Sequence, residues 1–316
     1  MEGNKINQTQ DIDSYENFKI ETKQPKIILN YHKNYISCST VLKDGRFVTG
    51  SKDKSIIIYN KETFKPVLMI REHKEGVRCI IQLSSGELAS CSEDNTIKIF
   101  KINENQYEKI QELKEHKNWV NKIIELKNKQ LVSCSFDHSI IFYNKDNNAY
   151  IKDYSITANG FNGPIIQTKD EEICFYEDNN TLCFYDIIKK EIINKIKNIN
   201  AAFYNYDSLL MVSKDLLIVT GKNKITIVNV NSHSEVKAIE VSESGLIFAA
   251  CMLNKNVLLT SDENKRIIQW KLKEKENDLE LISKKENAHD SDIYVLSKLG
   301  NGLILSGGFD GRVKIW

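Results

Sequence analysis

Ser306-Gly307-Gly308-Phe309-Asp310-Gly311-Arg312-Val313-Lys314-Ile315-Trp316 closes the sequence and belongs to a longer frame that opens at His289. In that frame His289, Ser306, Asp310 and Trp316 stand at fixed distances. The same four places recur as His32, Thr49, Asp53, Tyr59, as His73, Ser90, Asp94, Phe100, and as His116, Ser133, Asp137, Tyr143. His to aromatic is 27 residues every time, and Asp to aromatic is six. A constant frame under changing neighbours marks a repeated supersecondary unit.

Around each frame the pattern is all-β. In the first unit, residues 36–42 read as a strand, Lys43-Asp44-Gly45 as a hairpin turn, 46–50 as a second strand and 55–59 as a third. Residues 64–70 read as a fourth, outer strand. The second and third units repeat this from His73 and His116. The middle is degenerate. Thr181-Leu182-Cys183-Phe184-Tyr185 matches a third strand, with Asn179 in the Asp place and Ala158 in the His place. A fifth unit ends in 225–228 with Phe203 near the His place. A sixth ends in 267–270, with Glu243, Thr260 and Asn264 in the His, Ser and Asp places. The closing residues Tyr59, Phe100, Tyr143, Tyr185, Val228, Trp270 and Trp316 are 41, 43, 42, 43, 42 and 46 apart, which predicts seven units of four strands.

Composition bounds the function classes. Net charge is +1, which gives no bulk attraction to nucleic acid, and no nucleic-acid partner is expected. No apolar run approaches the roughly 20 residues of a membrane span, so no membrane insertion is expected. The seven cysteines hold repeat-equivalent positions (Cys38 with Cys79, Cys91 with Cys134), as small apolar strand residues do. No CxxC pair exists, so neither a disulfide framework nor a metal site is expected. A cytoplasmic or nuclear, reducing compartment follows. Residues 1–15 are polar and patternless and read as a flexible tail, which leaves 16–316 as a single domain.

The frame resembles the WD-repeat (WD40) β-propeller family. The residues that carry the resemblance are His32/Asp53/Tyr59, His73/Asp94/Phe100, His116/Asp137/Tyr143 and His289/Asp310/Trp316, over residues 26–316. The resemblance implies a seven-bladed β-propeller of four-stranded antiparallel blades, expected to be monomeric by itself. It also implies that the four marked residues form a buried hydrogen-bonded tetrad. Phe100 has no donor, so blade 2 should hold a shortened network, and blades 4 to 6 should depend on apolar packing. Trp316 ends the third strand of blade 7, so the strand predicted at 26–31 should supply the outer strand and close the ring.

The repeated His/Asp pairs are structural on this reading, because each pair belongs to its own blade. His138 and His233 lack a visible constellation, and surface placement is expected for both. No GxSxG, HExxH or phosphate-cradling loop occurs, so no catalytic residue and no cofactor is assigned. The Phe-Arg-Arg-Gly signature of phosphoinositide-binding relatives is absent, as is the Trp-Asp-x-Arg of ubiquitin-ligase adaptors.

The functional expectation rests on the variable residues beside the marks, on the face where His and Asp must meet. These are Tyr35 and Trp119 three places after His, Lys52, Glu93, Phe136 and Phe309 just before Asp, and Arg78, Asn121 and Tyr294 five places after His. Aromatics and Arg are the usual anchors of protein interfaces. The expected function is a non-catalytic scaffold or adaptor that binds a protein or peptide partner over this top face. A propeller enzyme or small-ligand binder with a non-local site, and a lipid-surface binder, are the alternatives. The stretch Phe203-Tyr204-Asn205-Tyr206 falls in the same class of loop and either joins this face or fills a missing tetrad.

Overall fold

The computed structural model describes residues 18–316 except 159–162, 179, 200–207, 242–244 and 301. The tail expected at 1–15, the substitute places Asn179, Phe203 and Glu243, and the stretch 203–206 lie outside the described residues.

Seven four-stranded antiparallel sheets follow one another in the chain. Blade 1 is Ile36–Val41, Phe47–Ser51, Ile56–Tyr59 and Pro66–Ile70. Blade 2 is Val77–Gln82, Leu88–Ser92, Ile97–Ile102 and Tyr107–Leu113. Blade 3 is Val120–Glu125, Leu131–Ser135, Ser139–Asp146 and Ala149–Thr157. Blade 4 is Ile165–Lys169, Glu172–Asp178, Thr181–Asp186 and Glu191–Lys197. Blade 5 is Leu209–Met211, Leu216–Thr220, Lys224–Asn229 and Ser234–Glu240. Blade 6 is Ile247–Asn254, Val257–Asp262, Ile267–Lys273 and Asp278–Lys285. Blade 7 takes Ile293–Lys298, Ile304–Gly308 and Val313–Ile315 from the end of the chain and Ile27–Leu29 from its beginning. In that last pairing Ile27, Ile28 and Leu29 stand opposite Ile315, Lys314 and Val313. The ring is closed by the N-terminal strand, as the repeat count predicts.

The apolar core lies between blades rather than within one. One cluster joins Cys38, Val48 and Ile58 of blade 1 to Val77, Ile80 and Phe100 of blade 2. Another joins Phe47 and Tyr59 of blade 1 to Val295, Leu305 and Ile315 of blade 7. Each sheet therefore buries its faces only against its neighbours, as in other quasi-repeating folds. The packing dictates small residues at one place of the second strand. A Cβ on Gly50 would come within 2.8 Å of Ile80 Cδ1 and Val77 Cγ1, and one on Gly307 within 2.7 Å of Ile36 Cγ2. Cys91 and Cys134 fill the same place in blades 2 and 3, and both are buried. This is the packing reason for the cysteine spacing.

The closure reaches further back than the expected strand. A short 3-10 turn, Ile20–Thr22, packs on blade 6, and Ile20 is fully buried among Leu259, Ile267 and Trp316. The frame residues alone gave no sign of this second attachment.

Candidate functional site: the top face of the channel

The marked residues form the clamps that hold this face in shape. In blade 1, His32 Nδ1 meets Asp53 Oδ2 at 3.0 Å and its Nε2 meets Thr49 Oγ1 at 2.7 Å. The Thr49 and Tyr59 hydroxyls are 3.3 Å apart. In blade 7, Trp316 Nε1 donates to Ser306 Oγ at 2.8 Å, Ser306 Oγ meets His289 Nε2 at 2.7 Å, and His289 Nδ1 meets Asp310 Oδ2 at 3.0 Å. Blades 2 and 3 repeat the His73–Asp94 and His116–Asp137 contacts at 2.9 Å, and their Ser90 and Ser133 contacts at 2.8 and 2.7 Å. Buried polar groups stay tolerable because each satisfies the next.

The carboxylates are held ionised. Burial pushes the Asp310 carboxyl up, but the hydrogen bond and charge of His289 outweigh it and hold the group at about 2. The same balance keeps Asp53, Asp94 and Asp137 well below the ordinary carboxylate range.

Two details differ from the sequence expectation, and one agrees with it. In blade 3 the Tyr143 hydroxyl lies beside Ser133 but makes no hydrogen bond, so the chain of contacts stops at the serine. Blade 2 holds the shortened network expected of Phe100, and its buried Lys98 donates to the Glu72 carbonyl at 2.5 Å and lies 3.8 Å from Asp94, as Lys314 of blade 7 donates to the Ala288 carbonyl. Blade 6 does not depend on apolar packing alone. Trp270 Nε1 donates to Thr260 Oγ1 at 2.9 Å, and Arg266 donates through Nε and Nη2 to Asp262 Oδ2 at 2.8 and 2.7 Å. Asp262, two places before the expected Asn264, is the buried acid of this blade.

The clamps bring the variable residues together by a second repeated device. The residue just before Asp donates its backbone N–H to the carbonyl three places after His. This ties Lys52 to Tyr35 at 3.0 Å, Glu93 to Gly76 at 2.9 Å, Phe136 to Trp119 at 2.9 Å and Phe309 to Asp292 at 2.7 Å. A third device re-aims the residue five places after His. Ser37, Arg78, Asn121 and Tyr294 each fall where the inner strand slips register against its neighbour, the position of a β-bulge. A bulge turns one side chain out of the sheet alternation.

The result is a cavity of about 190 Å3 lined by Tyr35, Ser37, Lys52, Arg78, Glu93, Trp119, Phe136, Tyr294 and Phe309. Eight of the nine residues singled out in the sequence meet there. On one side Tyr35 stacks on Phe309, with centroids 5.0 Å apart, and Tyr294 sits 5.8 Å from Tyr35. On the other side Trp119 and Phe136 meet edge to face at 5.7 Å. Trp119 is 40% exposed and Phe309 is 52% exposed. Between the two groups, Glu93 accepts from Arg78 Nη1 at 3.1 Å and from Lys52 Nζ.

Asn121 is the exception. It is fully buried, and its side-chain oxygen accepts from Arg78 Nη2 at 3.3 Å. It therefore positions Arg78 and offers no surface of its own.

Phe248 was missed. It is the bulge residue of blade 6 and packs edge to face on Tyr294 at 5.0 Å. Its signal was available, since it stands five places after Glu243 in the same frame. The degenerate blade hid it.

His233 also departs from surface placement. It is half-buried on the opposite face, where its Nε2 lies 2.7 Å from Glu172 Oε2 and its ring 4.5 Å from Phe184. His138 is exposed and occupies a left-handed turn position (φ 65°) equivalent to that of Gly311. Among the described residues, no group of three or more His, Cys, Asp or Glu is placed to hold a metal ion, and no helix is long and apolar enough to cross a membrane.

The family model of the WD domain, G-beta repeat (WD40), matches residues 23–60, 64–101, 107–144 and 282–316. No curated protein matches the chain. Each matched stretch spans the outer strand of one blade and the first three strands of the next, so every repeat interlocks two blades. That phase is why the first matched stretch completes the last blade. Four such matches, the clamps they carry and seven blades in a closed ring place the chain in the WD-repeat β-propeller family.

Proposed function

We propose that this propeller is a non-catalytic interaction scaffold or adaptor that captures a peptide or a partner's loop over the top face. The observation that carries the reading is the pair of aromatic groups at the cavity mouth, with Trp119 and Phe309 left half exposed on otherwise rigid, clamped turns. Large rings fixed in place lose little side-chain entropy on binding, which suits them as anchors. The ionisable groups at the mouth bond to one another, so Lys52, Glu93 and Arg78 are arranged to hold shape and set charge. The seven buried thiols fit a reducing, cytoplasmic or nuclear setting.

The test is a pull-down from the source cell with wild type and with a Trp119→Ala, Phe136→Ala double variant. Loss of partners at an unchanged melting temperature is expected. The same partners at unchanged stability would refute the assignment of this face.

A further inference from the structure

The cavity has a sign as well as a shape, and the sign follows from its wiring. Glu93 has both carboxylate oxygens engaged, Oε1 by Arg78 and Oε2 by Lys52. Two cations thus face one anion, which leaves one positive charge in excess. The excess lies at the mouth, because the Lys52 side chain is 31% exposed while that of Glu93 is 3%. The π face of Trp119 is already used by the protein's own cations. Lys52 Nζ lies 5.2 Å and Arg78 Cζ 5.5 Å from its centroid. Among the described residues that line the cavity, an incoming cation would meet like charge and no open carboxylate.

The rim repeats this sign. One place after each His, Lys33, Lys74 and Lys117 are exposed in three consecutive blades. Their backbone N–H groups donate to the clamp aspartates at 2.7 to 2.9 Å, which fixes the three positions beside one another around the ring. Across the cavity, blade 7 has Asp290 at the same place, paired with Arg312. Asp292 follows, its carboxyl pushed up by burial and by nearby Glu263. The exposed lysines one place after His thus lie over blades 1 to 3, where Glu75 is paired with Lys54, and the acids Asp290 and Asp292 lie on blade 7.

We propose that the occupant of this face is an acidic peptide segment with one large apolar side chain. That side chain fills the cavity between Trp119 and Phe309, whose volume of about 190 Å3 has room for a single large residue. Asp or Glu residues beside it lie over Lys52 and the lysines of blades 1 to 3. This rests on the top-face reading and adds the chemistry of the partner. Charge complementarity of this kind steers encounter and rejects wrong partners, and salt weakens it.

The test uses three fluorescein-labelled peptide pools and fluorescence anisotropy. Each pool has a central Leu, Met, Phe or Trp with two flanking residues on both sides. The flanks are Asp or Glu in the first pool, Ser or Gly in the second, and Lys or Arg in the third. The acidic pool should bind about tenfold more tightly than the neutral pool and lose that advantage in high salt. Lys52→Gln should weaken it several-fold at unchanged melting temperature, and Lys214→Gln, on the opposite face, should leave it unchanged. A neutral or basic pool that binds more tightly and still depends on Trp119 overturns the acidic assignment and leaves the top-face reading standing. No binding from any pool also overturns the assignment. Combined with an unchanged pull-down from the Trp119→Ala, Phe136→Ala variant, it overturns both.

Discussion

The backbone N–H of Ile20 donates to Oε1 of Gln269 at 3.1 Å and ties together two residues 249 positions apart. The same side chain donates from Nε2 to the Phe18 carbonyl at 2.6 Å and accepts from Ser283 Oγ at 3.0 Å. Gln269 has no exposed surface; its contacts to Ile20 and Ser283 are buried and that to Phe18 is partly so. Gln269→Leu keeps the bulk and removes the contacts. Each net hydrogen bond is worth about 1 kcal/mol, so the loss should be about 2–3 kcal/mol and about 5 °C in melting temperature. Deletion of residues 1–24 should cost at least as much, because it also withdraws Ile20 from the core. In the Gln269→Leu background the same deletion should cost less, since the coupled contacts are already gone. Strict additivity of the two changes would show that Gln269 does not hold this segment.

Deletion of residues 1–31 is a stronger test of closure. It removes the strand Ile27–Leu29 and leaves the edge of Val313–Ile315 unpaired. An exposed edge of apolar strand recruits other chains, so the truncated protein should aggregate or fail to fold. Size-exclusion chromatography of the 32–316 fragment decides this. A stable monomer would mean that the ring stays shut without its seventh outer strand.

Acid should loosen the clamps through both of their partners. Burial lowers the ring pKa of His73 and His289 below 6.5 and outweighs the raising pull of Asp94 and Asp310. The Asp310 carboxyl stands at about 2, below its ordinary 3.8. Both folded values lie below the unfolded ones, so the unfolded chain takes up protons first as pH falls. The stabilisation is complete above pH 6.5 and fades below it, through the histidines first and through Asp310 between 3.8 and about 2. Melting followed by circular dichroism from about pH 7.5 to about pH 3 should show a steady fall in transition temperature. Asp310→Asn should lower stability by about 1–2 kcal/mol at neutral pH and flatten the most acidic part of the curve. A transition temperature that stays level across this range would contradict the assignment.

The sequence made the fold legible wherever the frame was complete. His289, Ser306, Asp310 and Trp316 carry a fixed spacing because hydrogen bonds enforce it, and spacing is what a sequence displays. The same logic located the top-face residues, since Lys52, Glu93, Phe136 and Phe309 are each tied by backbone to the inter-blade loop. Depth was not legible. Asn121 and Tyr294 share one repeat position, yet one is buried beneath Arg78 of the adjacent blade and the other lines the cavity among Tyr35 and Phe248 of its adjacent blades. Nor was the attachment of Ile20, whose backbone is held by a buried glutamine that stands between the apolar Ile268 and Trp270. His233 and Glu172 lie 61 positions apart in different blades, and no periodicity links them.

Blade 6 offers a test of how a degenerate repeat is repaired. In blades 1, 2 and 3 the place of Asp262 is held by Ser51, Ser92 and Ser135, and the place of Arg266 by Ser55, Thr96 and Ser139. Blade 6 has exchanged a pair of small hydroxyls for a buried ion pair, with side chains 0% and 6% exposed. Arg266→Met leaves the Asp262 carboxylate buried beside only backbone donors, at 3.1 Å from Asn264 N and 3.2 Å from Arg266 N. Loss of one partner from such a pair costs about 3–5 kcal/mol. The double change Asp262→Ser with Arg266→Thr restores the pattern of the regular blades and removes both charges together. It should therefore recover most of the loss and end more stable than Arg266→Met alone. Chemical denaturation of the two variants and wild type gives the comparison. A double variant less stable than the single one would mean that the charged groups, rather than the fit of the turn, stabilise blade 6.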